Sequence, residues 1–184
     1  MTQRPRLARR VVPVVAVVLA AFFVVLAVAK PRGDSDASSP LIGQPVPSVV
    51  STLVGGGEFD LARRKGSWVV LNFFNSTCVP CRNEHSQLVE FAKEQDGLDA
   101  GAELVTVVND DTDEAITAFF RQNGGDWPKV RDPDGIIAVS FGVAKVPETW
   151  VVDPAGFVRM RIVGETTAEF LSTRIAVMSG EQSR

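Results

Sequence analysis

Both cysteines and the one histidine of this chain lie in a single stretch, NSTCVPCRNEH, residues 75–85. Cys78 and Cys81 are separated by two residues, and Glu84 and His85 follow one turn later on a helix. Thiols are soft nucleophiles and soft metal ligands. A pair at this spacing can be a static crosslink, half of a zinc site, a haem anchor or a redox centre. Covalent haem attachment needs histidine directly after the second cysteine, and Arg82 stands there. Zinc takes four ligands, whereas Cys78, Cys81 and His85 supply three, so no metal or other cofactor is expected. A static crosslink over so short a loop adds roughly 2 kcal/mol in the chain-entropy model, little for a domain able to build its own core. No P-x-x-x-T-x-x-C arrangement surrounds Cys78, which argues against a peroxidase. Disulfide exchange is the best-supported chemistry. Thiols that hold copper(I) for delivery are the alternative from another class.

The elements around the motif are suited to that chemistry. WVVLNFF, residues 68–74, is a short apolar run rich in β-branched and aromatic residues, bounded by polar residues, and reads as a buried strand. Residues 79–95 read as a helix, with Pro80 tolerated in the first turn. The cysteines therefore sit where a strand ends and a helix begins. Unpaired N–H groups and the positive end of the helix dipole converge there and favour a thiolate. Cys78, at the cap and more exposed, is expected to attack, and Cys81, one turn in and more buried, to resolve the mixed disulfide. At 3.6 residues per turn, Cys81, Glu84, Leu88, Phe91 and Gln95 share a stripe that Leu88 and Phe91 turn toward the core. Burial on that stripe would raise the pKa of Glu84 and make it a proton acceptor for Cys81. His85 flanks the stripe and is expected to be a half-exposed helical residue.

Beyond the motif, residues 104–108 read as a second buried strand and residues 113–122 as a helix capped by Thr112 or Asp113 and stopped by Gly124-Gly125. Residues 132–135 and 153–156 are turns, the second joining a strand at 149–152 to its return strand at 157–163. Residues 167–178 close the chain as a helix. The order β-α-β-α, then a hairpin and a helix, indicates an α/β domain with a central mixed sheet flanked by helices.

The first 44 residues have a different character. Residues 11–29 form an apolar stretch of nineteen residues without charge, near the roughly 20 that span a bilayer as a helix. Arginines precede it, so the positive-inside rule keeps residues 1–10 cytoplasmic and the catalytic domain outside. A signal peptide cleaved after Ala27-Val28-Ala29 is the competing reading, but the run exceeds the roughly 7–15 residues of a signal core. Residues 30–44, KPRGDSDASSPLIGQ, read as a flexible tether, leaving residues 45–184 as one extracytoplasmic domain. From residue 37 onward there are 20 acidic and 13 basic residues, a net charge of −7. That balance argues against nucleic acid as a partner.

Taken together, WVVLNFF, CVPCRNEH and FGVAKVPETWVVDPAGFVRMRIVG resemble the membrane-anchored thioredoxin-like proteins of the CcmG/DsbE, ResA and TlpA group. The resemblance covers about residues 45–179. It implies a thioredoxin fold, thiol:disulfide oxidoreductase activity and, for several members, a part in cytochrome c maturation. It also implies a cis bond at Val146-Pro147 beside the disulfide, substrate pairing with the backbone of Val146, and an active-site role for Glu84. The group usually carries tryptophan before the first cysteine. Here Thr77 stands there, a smaller residue that can widen the substrate groove or shift the potential. The implied partners are an apocytochrome c or another exported thiol protein, and a membrane thiol protein that donates electrons. The opposite direction, an oxidase of exported proteins, needs a partner that removes them.

Overall fold

A computed structural model of the protein describes residues 13, 15, 16, 18–21 and 37–182. The expectations for residues 1–10 and 11–29 fall largely outside the described residues. Of these, Pro13, Val15, Ala16 and residues 18–21 are helical. Among the described residues no helix is long and apolar enough to cross a membrane.

Five strands form the central sheet: β3 (Val69–Phe74), β4 (Glu103–Asn109), β5 (Lys129–Asp132), β6 (Glu148–Val152) and β7 (Val158–Val163), in the order β5-β4-β3-β6-β7. β3, β4 and β5 run parallel, whereas β6 is antiparallel to both β3 and β7. The expected mixed sheet is present, and β3 lies at its centre. All six residues of β3 are buried, because both faces of the strand are covered.

Alternation along β3 divides the core. Val70 and Phe74 face a cluster with Leu88 and Phe91 of α1 (Val79–Asp96), Ile116 and Phe119 of α2 (Asp113–Asn123), and Leu171 and Ile175 of α4 (Ala168–Gln182). Val69, Leu71 and Phe73 face a second cluster with Phe141 of α3 (Ile136–Phe141), Trp150, and Phe59 of the small hairpin made by β1 (Val50–Thr52) and β2 (Glu58–Asp60). Thr112 caps α2 by accepting from the Ala115 N–H, and Gly124 ends it at φ 80°, a conformation that favours glycine. The turn at 153–156 closes on Gly156 at φ 89°.

The β1–β2 hairpin, the short 3-10 helix at Leu61–Arg64, β5 and α3 were not expected from the sequence. In addition, the last part of the stretch read as a tether is not free of the domain. The Ala37 N–H donates to the Arg161 carbonyl, the Gly43 N–H to that of Val158, and Pro45 bridges to Phe157. Residues 37–45 thus occupy the outer edge of β7, while Leu53 and Val54 bond to the outer edge of β5. Both open edges of the sheet are covered, which removes a template for strand addition.

Candidate active site

β3 ends at Phe74, and residues 75–77 turn the chain into α1 with Cys78 as its cap. This turn is stitched to the loop after β4. Asn75 donates through Nδ2 to the carbonyls of Asn109 and Asp110, and the Ser76 N–H donates to the Asp111 carboxylate at 2.6 Å. Thr77 is exposed and donates through its N–H and Oγ1 to Asn75 Oδ1. Sequence reasoning missed these supporting contacts, since Asn75 and Asp111 are distant in the chain and both read as ordinary loop residues.

Cys78 and Cys81 form a disulfide with Cα atoms 5.3 Å apart. Cys78 is half-buried and its sulfur accepts from the Cys81 N–H at 3.2 Å, whereas Cys81 is fully buried. The difference in exposure is the one expected from the helix start. Val146, the residue before the cis bond to Pro147, places its carbonyl oxygen 3.6 Å from the Cys78 sulfur. The cis geometry is the one implied by the resemblance. Thr77, Cys78 and Val146 therefore share one surface, with Pro147 buried behind it.

Beneath that surface lies a polar network inside the first core cluster. Every residue of the expected stripe of α1 is buried, Glu84 at 2% exposure. Asn72 of β3 donates to Glu84 Oε1 at 2.9 Å, and the Thr166 N–H donates to Oε2 at 3.0 Å. Burial outweighs these two donors and, with the nearby Glu165 carboxylate, pushes the Glu84 carboxyl up to about 8.

His85 departs from expectation. It is buried at 3% exposure, not half-exposed, because α2 and the segment after it close over that side of α1. Its ring meets Phe119, Phe120 and Trp127 at centroid distances of 4.8, 5.1 and 5.7 Å, and Nε2 bonds the Gly124 carbonyl at 3.0 Å. Desolvation holds the imidazole below its usual pKa, so it is neutral and part of the packing.

A second buried carboxylate, Glu148, follows Pro147. It accepts from Arg161 Nε and Nη2 at 2.9 and 3.0 Å and from Trp150 Nε1 at 2.8 Å, so its charge is fully paired. Sequence reasoning assigned it no role. Among the described residues no group of acidic, histidine and cysteine side chains is arranged to hold a metal ion. A cavity of about 420 Å³ lies against Val69 and Val152, at the ends of β3 and β6 away from the cysteines, and takes no part in this site.

A model of the AhpC/TSA family matches residues 42–161. The thiol-disulfide oxidoreductase ResA of Bacillus thuringiensis is 31% identical over 137 residues, covering 74% of this chain and 78% of its own. The thiol:disulfide interchange protein DsbE homolog of Paracoccus denitrificans is 33% identical over 148 residues, covering 78% of each chain. Among solved structures, a DsbF homologue from Corynebacterium diphtheriae superposes with a TM-score of 0.67 at 25% identity, over 80% of this chain and 96% of that one.

Proposed function

Because this chain belongs to the AhpC/TSA family and is a thiol:disulfide oxidoreductase of the DsbE, ResA and CcmG type, we propose that it reduces apocytochrome c cysteines outside the cytoplasm, with Cys78 and Cys81 as the redox pair. In this reading the apolar stretch at 11–29 anchors it in the membrane. The observation that carries the proposal is the placement of Glu84, buried one turn from Cys81 behind a half-buried Cys78.

The reaction begins from the dithiol. The Cys78 thiolate attacks one sulfur of a substrate disulfide, whose other sulfur leaves as a thiolate and takes a proton. The substrate backbone lies along Val146, beside the attacking sulfur. Cys81 then gives its proton to the ionised Glu84 carboxylate and attacks Cys78 Sγ, expelling the second substrate sulfur. Two electrons pass from the chain to the substrate, and Cys78–Cys81 becomes the disulfide. A Glu84 pKa of about 8 lies close to the roughly 8.5 of a free thiol, so transfer between the two is near balance. A membrane thiol protein restores the dithiol by the reverse exchange.

The resemblance to the CcmG/DsbE, ResA and TlpA group supports the reductive direction and the cytochrome substrate. A Cys81→Ser variant tests it, since the mixed disulfide then cannot resolve. Non-reducing gels of membranes carrying this variant should show a dithiothreitol-sensitive adduct to an apocytochrome c or a maturation thiol protein, absent from the Cys78→Ser control. A broad set of newly exported, cysteine-rich proteins would indicate an oxidase instead. No adduct, with tight copper(I) binding by the wild type, would indicate a metal carrier.

A further inference from the structure

Asn72 is an unusual occupant of its position. It lies fully buried in the central strand, on the same face as Val70 and Phe74, where an apolar residue would pack without polar atoms. Its Nδ2 uses both hydrogens, one to Glu84 Oε1 at 2.9 Å and one to Thr149 Oγ1 at 3.0 Å. Its Oδ1 is buried with no hydrogen-bond partner. An unpaired buried carbonyl is destabilising, and exchanging the two ends of the amide would not remove the problem. It would aim a carbonyl at the carboxylate and leave two N–H donors unpaired instead. The orientation seen gives the Glu84 carboxyl a donor, which favours its ionised form against burial, at the expense of the Asn72 carbonyl.

We infer that Asn72 is a positioning residue: its amide, braced on Thr149 of β6, holds the Glu84 carboxyl in place for Cys81 and governs how readily that carboxyl takes and releases a proton. The inference rests on the part proposed for Glu84 above.

The surroundings of Glu84 leave the amide as the main adjustable contact. β3 presents Asn72 and β6 presents Thr149, both neutral. The Thr166 N–H is a backbone donor that side-chain substitution leaves in place. Glu165, in the loop before α4, is the charged group acting on Glu84, and it disfavours a second negative charge. It is exposed and is bonded by Asn83 at 3.2 Å. On the same helix lie Cys81, the thiol being served, and His85, whose Nε2 bonds the Gly124 carbonyl after α2. Removing the Asn72 donor leaves burial and Glu165 opposed by the Thr166 N–H alone, so the neutral carboxyl should gain.

The test is the titration of the Glu84 carboxyl in the full-length reduced protein, followed by carbon-13 NMR with labelled glutamate and assigned by loss of its signal in Glu84→Gln. In Asn72→Leu the midpoint should move up by about one pH unit or more, a tenfold or greater gain in proton affinity. Asn72→Val, which suits a buried strand, is the second variant where leucine disturbs packing. The pH–rate profile of disulfide exchange should move upward with the midpoint. An unchanged or lowered midpoint in a folded variant overturns the inference, and so does failure of both variants to fold. A midpoint that rises while the pH–rate profile stays fixed supports the positioning of Glu84 by Asn72, and overturns instead the role proposed for Glu84 in the reaction.

Discussion

The sulfur of Cys78 lies 3.6 Å from the carbonyl oxygen of Val146, across a separation of 68 positions in the chain. The pairing of β3 with β6 produces this approach, because the cap of α1 follows one strand and the cis bond precedes the other. One sulfur is thereby presented beside the backbone of Val146 and the other is enclosed.

In the reduced protein, Cys78 should react with iodoacetamide about tenfold or more faster than Cys81 near neutral pH, since it is both accessible and stabilised as a thiolate by the helix start. Mass spectrometry of partly alkylated protein measures the ratio. Equal labelling, or Cys81 ahead, contradicts the assigned roles.

Glu84 should impose a pH dependence on stability. Its folded pKa of about 8 lies above the ordinary glutamate value of 4.5, so between these values the native protein holds a proton that the unfolded chain has released. Stability from this group is therefore present below the unfolded value and lost as pH rises through the folded one. The oxidised wild type should lose stability from pH 6 to pH 9 by an amount on the order of a few kcal/mol relative to Glu84→Gln. Urea denaturation at each pH checks this, and parallel curves for the two proteins contradict it.

His85 should act with the opposite sign. Its folded pKa lies below 6.5, so the unfolded chain takes up a proton first, and stability is lost as pH falls below that value. His85→Gln retains a donor for the Gly124 carbonyl and does not titrate. Thermal melts between pH 4.5 and 7.5 should show a steeper acid loss in the wild type than in His85→Gln. Equal slopes would contradict a buried, neutral imidazole.

Much of this site is legible in local sequence, and the remainder depends on distant partners. The run WVVLNFF announces the central strand because both its faces are apolar, and the spacing of Cys81, Glu84, Leu88 and Phe91 places the carboxyl on the buried stripe. The burial of His85 follows from Phe119, Phe120 and Trp127 closing over it, which no window around His85 contains. β5 is hidden because KVRD is four residues long and three of the four are charged, with Asp132 buried where it accepts from the Ile137 and Ala138 N–H groups at the start of α3. Asn72 is concealed in the opposite way, as one polar residue inside an apolar run. Its partners Glu84 and Thr149 lie 12 and 77 positions away.

The Glu148–Arg161 pair should behave as a buried ion pair. Arg161→Met leaves the carboxylate of Glu148 without its guanidinium, and the side chain of Arg161 is 21% exposed. The expected loss is about 3 kcal/mol, the lower end for a broken buried pair. The double variant Glu148→Gln with Arg161→Met, which keeps an acceptor for Trp150 Nε1, should recover most of that loss. Denaturant midpoints measure both, and additive losses would contradict the pairing.

The equilibrium potential of the Cys78/Cys81 couple tests the proposed function most directly. Titration of the full-length protein against defined thiol–disulfide ratios, read by alkylation of the free thiols, gives the value. A reductase of apocytochrome cysteines requires a couple near the reducing end of the thioredoxin scale, about −270 mV. A value near the oxidising end, about −120 mV, would contradict the reductive direction and make this chain a donor of disulfides.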